Sequence, residues 1–245
     1  MQELWVQPIL RMSKSIKKSL LLPGSFFKDR WRAKLDIIAT EKRHNTIYFY
    51  DHKVNPVDKN LPVYTQFDAI SKVLDYNANL RLGTLVTNIT RYDKDSICAS
   101  INNCLSIGSG FDLGIGIGDD IYEDNSSDND LQTNAKIDYI LNNFVFDKNN
   151  LSIFIGGASE YVKDLARKYN LGLNLWNRDS KYVEKVFKVL GEKDNGRNSF
   201  TVHKDFTETT IVPPSYCEEV IFVVKDSSFN EFIKQLDIIK GWKES

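Results

Sequence analysis

The 245-residue chain has little sulfur, little histidine and no surplus of charge. Its three cysteines, Cys98, Cys104 and Cys217, cannot build a disulfide framework. Their spacing with His44, His52 and His203 matches no metal-binding pattern, so no metal site is expected. The cysteines are predicted to be buried free thiols of a protein in a reducing cytoplasm. With 32 Lys+Arg against 33 Asp+Glu, the formal net charge is −1, which excludes a basic polyanion-binding domain and an acidic tail. No stripe of Lys and Arg interleaves with aromatics, so nucleic acid is not an expected partner. No apolar run approaches the ~18 residues a membrane span needs. The longest, Leu20–Leu22 and Val220–Val224, are strand-sized. The first residues carry no apolar core followed by a small-residue cleavage site, so a cytoplasmic location is expected.

What is present is the composition of a globular protein, 42% apolar and 27% charged. The length is close to the ~250 residues of a (β/α)8 barrel. Strand signals, β-branched and aromatic, fall at Ile16–Leu22, Thr46–Tyr50, Leu80–Thr87, Phe111–Ile117, Leu151–Ile155, Leu171–Trp176, Ser199–Val202 and Val220–Val224. Helical stripes fall at Phe26–Arg43, Phe67–Tyr76, Lys94–Leu105, Asn134–Asn142, Glu160–Tyr169, Tyr182–Leu190 and Phe229–Ile239. Residues 119–130, rich in Asp and Asn, read as a solvated loop that lacks the ordered ligand spacing of a calcium loop. Such alternation argues for a parallel sheet covered by helices. The expectation is a single (β/α)8 TIM-barrel domain over 1–245, with 1–15 as an N-terminal extension; an open doubly wound sheet is second.

In a barrel the chemistry sits where strands end and βα turns begin. That end would hold Asp51 and His52, Thr87 and Asn88, Gly116 to Asp119, Gly156 to Ser159, and Trp176 with Asn177. Gly114, Gly116 and Gly118 share one face of a strand. They leave a trough for a flat ring, or they let the strand kink at a tight barrel corner; the two readings weigh equally. Their spacing is not the dinucleotide fingerprint. Gly156-Gly157-Ala158-Ser159, between a buried strand and a helix, suits a phosphate group, because glycine admits close approach and a helix start presents N–H groups. Ser159 is the expected N-cap, and an ordinary capped turn would look the same. Asp51-His52 places a proton-transfer pair at a strand end. Arg91 and Tyr92 either reach a ligand or face solvent.

The run Leu82-Gly83-Thr84-Leu85-Val86-Thr87-Asn88, then Thr90-Arg91, a helix, and Leu113-Gly114-Ile115-Gly116-Ile117-Gly118-Asp119 resembles the bacterial-luciferase-like superfamily. The likeness is nearest to its deazaflavin-dependent methylenetetrahydromethanopterin reductases. Asp51-His52 and Ile155-Gly156-Gly157 fall in the same order, and the likeness runs from about residue 16 to about 190. The resemblance implies a barrel that binds coenzyme F420 or FMN at the strand C-termini. It implies a bulged third strand with a cis peptide, which by position joins Leu85 to Val86. Leu85, Val86 and Thr87 would back the ring, with Asn88, Gly116 and Asp119 nearby. Gly156, Gly157, Ala158 and Ser159 would hold the phosphate end, and Asp51 and His52 would line the reacting edge as the catalytic pair. The implied activity is an F420-dependent oxidoreductase that moves a hydride to or from a small molecule, such as a tetrahydromethanopterin derivative. An FMN-dependent monooxygenase or reductase and a non-catalytic flavin-binding barrel are the alternatives. Relatives often form homodimers. The chain departs from the pattern in four places: only residues 119–150 separate the fourth and fifth strands, the first strand has no carboxylate, the turn Gly156-Gly157-Ala158-Ser159 lacks a further glycine that many relatives have, and Phe111 stands where relatives carry an arginine.

Overall fold

The structure, a computed structural model, describes residues 16–41, 44–51, 65–117, 130–176, 178–202, 215–225 and 228–242. Eight strands close into a parallel barrel in chain order: β1 (Lys17–Leu22), β2 (His44–Phe49), β3 (Leu82–Asn88), β4 (Phe111–Gly116), β5 (Leu151–Gly156), β6 (Gly172–Trp176), β7 (Ser199–Val202) and β8 (Glu219–Val223). β8 pairs with β1, so the sheet is closed and not the open doubly wound alternative. The described helices are α1 (Trp31–Thr40), α2 (Gln66–Tyr76), α3 (Lys94–Ile107), α4 (Asp130–Asn143), α5 (Glu160–Lys168), α6 (Ser180–Leu190) and α7 (Phe229–Gly241). The fold is a (β/α)8 barrel. None of the helices among the described residues is long and apolar enough to cross a membrane.

The helices sit where their apolar stripes require. Ala69, Ile70, Val73 and Leu74 of α2, and Val183, Val186, Phe187 and Leu190 of α6, are buried against the outer face of the sheet. Each such large side chain contributes about 1.5–3 kcal/mol by leaving water. Local signals start the helices: Thr65, Asp93, Ser159, Asp179 and Ser228 each accept a hydrogen bond from a backbone N–H of the first turn. The largest departures from the periodicity are at α1 and α4. The stripe from Phe26 is a 3-10 turn, Gly24–Lys28, then a break at Arg30 (φ 41°) before α1. The break lets Phe26 and Phe27 cover the barrel wall independently of the helix. α4 begins four residues earlier than its apolar stripe.

Strand alternation sorts the interior. Leu21, Tyr48, Leu85, Phe154, Ile221 and Val223 form a separate buried cluster inside the barrel. The middle of the barrel is therefore solid. Below it, at the strand N-termini, lies a buried polar plug. Asp112 is bonded by Arg81, Arg197, Thr46 (2.7 Å) and Tyr48 (3.1 Å). Glu219 is bonded by Ser19, by Tyr48 (3.1 Å) and by Arg197 (3.3 Å). Burial pushes the Asp112 carboxyl up, but Arg197 and Arg81 outweigh it and hold the group below the usual carboxylate range. Burial, with Asp112 and Glu219 nearby, pushes the Tyr48 phenol well above its usual value.

The three cysteines are buried and unpaired. Burial pushes the thiols of Cys104 and Cys217 up to about 12. In the native protein Cys104 and Cys217 are therefore expected to resist a thiol-specific disulfide reagent at neutral pH and to react fully in denaturant. Rapid native labelling of Cys217, counted by mass, would contradict this burial.

Candidate functional site at the mouth of the barrel

The C-terminal end of the barrel is built around an irregularity in β3. The β3–β4 register slips between Thr84 and Thr87, and the β2–β3 ladder stops at Phe49–Thr84. The Leu85–Val86 peptide bond is cis, at the position the family resemblance implies. Leu85 belongs to the interior cluster and Val86 packs against it. A regular strand sends neighbouring side chains to opposite faces, so the bulge is what puts two successive apolar groups on the inner side.

Two glycines make room for this. A methyl added to Gly116 would collide with Cγ2 of Val86, and one added to Gly156 would stand 2.8 Å from its Cγ1. Deeper in the barrel, a methyl added to Gly114 would collide with the Thr84 carbonyl oxygen and stand 2.6 Å from Cζ of Phe154. The space beside Gly114 is thus filled by the Thr84 carbonyl and Phe154, and that beside Gly116 by Val86. They are close-packing sites, not an open trough, and Gly118 lies outside the described residues.

The bulge is fixed from behind and from the front. Behind it, Thr87 donates to Thr84 Oγ1 (3.0 Å) and accepts from Gln66 Nε2 (2.9 Å), while Thr84 takes the Gly114 N–H (3.1 Å). The Thr87 hydroxyl therefore serves the helix side of the sheet. In front, Asp51 is 4% exposed. Its Oδ2 accepts the Asn88 N–H (3.2 Å), and its Oδ1 accepts the Tyr92 hydroxyl (2.8 Å) and faces Arg91 Nη1 at 3.4 Å. The Asn88 side chain accepts from both the N–H and the hydroxyl of Thr90, closing the turn after β3.

The turn after β5 carries the remaining candidates. Gly157 adopts φ +130°, a region open to glycine. Its N–H donates to the Asn174 carbonyl (3.2 Å). Ser159 caps α5 by accepting from the Val162 N–H (3.3 Å), as its position predicts. The Tyr182 hydroxyl donates to the Ala158 carbonyl (3.4 Å). Glu160 opens α5, and the hydrogen bond from Lys163 (2.6 Å) holds its carboxyl below the usual range. At the rim, Trp176 stands 42% exposed on the strand register that faces inward. His52 and Asp119 lie outside the described residues, as does Asn177. Among the described residues no group of His, Cys, Asp and Glu is arranged to hold a metal ion.

The structure thus brings Asp51, Leu85, Val86, Asn88 and Gly116 to one side of the mouth. Gly156 touches the same floor through Val86, and Gly157 to Ser159 follow it. Sequence reading missed Thr84 and Gln66, which lock the bulge from behind, and the partnership of Arg91 and Tyr92 with Asp51. Only the Asn88-x-Thr90 turn left a local signal.

No protein-family model matches the sequence, and no curated protein matches it. Solved structures do resemble it. The apo form of MsnO8 superposes with a TM-score of 0.64 at 10% identity, over 91% of this chain and 97% of that one. An F420-dependent secondary alcohol dehydrogenase, in complex with an F420–acetone adduct, gives 0.56 at 11% identity, over 92% and 90%. The oxygenating constituent of 3,6-diketocamphane monooxygenase from Pseudomonas putida, in complex with FMN, gives 0.52 at 13% identity, over 76% and 67%. At such identities the likeness establishes one thing: this chain shares the (β/α)8 barrel fold of these proteins.

Proposed function

We propose that the chain is an oxidoreductase of the luciferase-like type that holds a flavin or deazaflavin at the mouth of its barrel. The observation that carries this reading is the floor: a bulged β3 end that lays Leu85 and Val86 side by side under the mouth, with Gly116 and Gly156 clearing space for them. Val86, half-buried above the buried Leu85, presents an apolar surface that suits a planar ring. The group fits on a second count. Gly157, at positive φ, turns the chain into the capped start of α5, a helix N-terminus where a phosphate would lie.

Coenzyme F420 stands first, because the Val86-Thr87-Asn88 and Gly114-x-Gly116-x-Gly118-Asp119 segments resemble the deazaflavin reductases. The solved F420-dependent alcohol dehydrogenase, alike over most of both chains, supports it. FMN stands second, supported by the likeness to the FMN-bound monooxygenase. The bound group would supply the hydride chemistry; the protein contributes orientation and exclusion of water. On this reading Leu85 and Val86 support the ring, and Gly156, Gly157, Ala158 and Ser159 frame the phosphate end. Asp51 and Asn88 stand beside the reacting edge, and His52 and Asp119, outside the described residues, complete the candidates from sequence. The substrate is a small molecule, with a tetrahydromethanopterin derivative as the first candidate.

Purified protein titrated with F420 and with FMN, followed by absorbance and by mass spectrometry of any co-purified chromophore, tests the proposal. Saturable binding of F420 in preference to FMN is expected. Preference for FMN would favour a flavin monooxygenase or reductase, and binding of neither would leave a barrel without a redox role.

A further inference from the structure

We infer that Asp51 is a positioning residue, which holds the β3 bulge in place through the turn that follows it. The inference rests on the reading of the mouth as a flavin or deazaflavin site. Its basis is the way the sheet is interrupted. β2 and β3 pair only as far as Phe49–Thr84, and β3 rejoins β4 only at Thr87–Ile115. Leu85 and Val86, the floor of the mouth, therefore lie in a stretch that both neighbouring ladders skip. Asp51 stands two residues beyond the last paired residue of β2. Its carboxylate takes the Asn88 N–H at 3.2 Å, and so replaces across this gap the ladder that the bulge removes.

The other oxygen fixes the far side of the same turn. The Tyr92 hydroxyl donates to Oδ1 at 2.8 Å, and Arg91 Nη1 lies 3.2 Å from the Asp51 carbonyl and 3.4 Å from Oδ1. Tyr92 and Arg91 thus hold the carboxylate, and the carboxylate holds Asn88. With both oxygens engaged and the residue buried, Asp51 is placed to fix a backbone rather than to exchange protons with a ligand. Behind the strand, Gln66, Thr87 and Thr84 hold the same bulge, so its two sides are tied independently.

Three variants test this: Asp51→Asn, Asp51→Ala and Tyr92→Phe. Hydrogen exchange of the amides from Leu85 to Asn88 reads the clamp without any ligand, and titration with F420 and FMN reads the floor. Loss of hydrogen bonds to a charged acceptor should speed exchange there about tenfold or more, in the order Ala, then Asn and Phe. Cofactor affinity should fall in the same order, by about tenfold for Asp51→Asn. Tyr92→Phe is the decisive variant, because it removes the hydroxyl that donates to Oδ1 and leaves the carboxylate in place. If Asp51→Asn weakens binding while Tyr92→Phe binds as the parent does, Asp51 acts on the ligand directly and the inference fails. It also fails if exchange from Leu85 to Asn88 is unchanged, or if melting falls in all variants while affinity holds. If the parent binds neither cofactor, the flavin reading falls, and the exchange arm alone decides whether the clamp exists.

Discussion

Asp112→Asn is expected to destabilise the fold by about 3–5 kcal/mol, the usual cost of removing one partner from a buried ion pair. Asp112 is fully buried and receives two guanidinium groups, Arg81 and Arg197, beside the hydroxyls of Thr46 and Tyr48. Removing its charge leaves Arg197 with Glu219 as its remaining buried counter-charge. It also leaves Arg81 without its carboxylate partner. The pH dependence follows from the direction of the carboxyl's shift. Its folded value is depressed, so the stabilisation is fully present above the unfolded value and is lost as pH falls through the folded one. Urea melts of the parent and of Asp112→Asn, taken from neutral pH into the acid range, should converge as pH falls. A constant gap between the two curves, or a loss below ~1 kcal/mol at neutral pH, would show that the plug is not held by this carboxylate.

Gly116→Ala is expected to cost about 1–3 kcal/mol by overpacking and, on the proposed function, to displace the floor of the cofactor site. The added methyl runs into Val86, which is β-branched and restricted at χ1, so it cannot swing aside freely. The double variant Gly116→Ala with Val86→Ala should recover most of the lost stability, because the second change removes the atom that the first strikes. Chemical denaturation of the two single variants and the double measures this coupling. Strict additivity would mean that Val86 does not occupy the space beside Gly116. Gly156→Ala, with a gentler 2.8 Å approach to the same side chain, should lie in the same direction with a smaller effect.

These two sites differ in how far the sequence reveals them. Gly116 stands in a run whose alternation is plain from residue order, and the bulge follows from the family resemblance of residues 82–88. The opposite holds for the plug. Asp112 is a lone acid in an apolar strand, and nothing near it in the chain announces Arg197, 85 positions away. Asp51 reads as half of an acid–histidine pair, because its neighbour in sequence is His52. Its structural partner Tyr92, 41 positions on, is visible only when β2 and β3 are laid side by side. The glycine trough is a similar case: spacing shows that side chains are absent, and only packing shows that Phe154 and Val86 fill the space.

Whatever depends on neighbours along the chain is legible in residue order. That includes the alternation of strand and helix, the Ser159 cap, the glycine turn before α5 and the lack of a run long enough for a membrane-spanning helix. These follow from backbone preference and side-chain periodicity, which act over a few residues. Three features come from the folded arrangement instead: the barrel closes between β8 and β1, charge seals its lower end, and Asp51 is tied to the turn after β3. Each of these is a contact between groups tens or hundreds of residues apart. Such contacts exist only once the sheet has curled round and set its register, which no local pattern encodes.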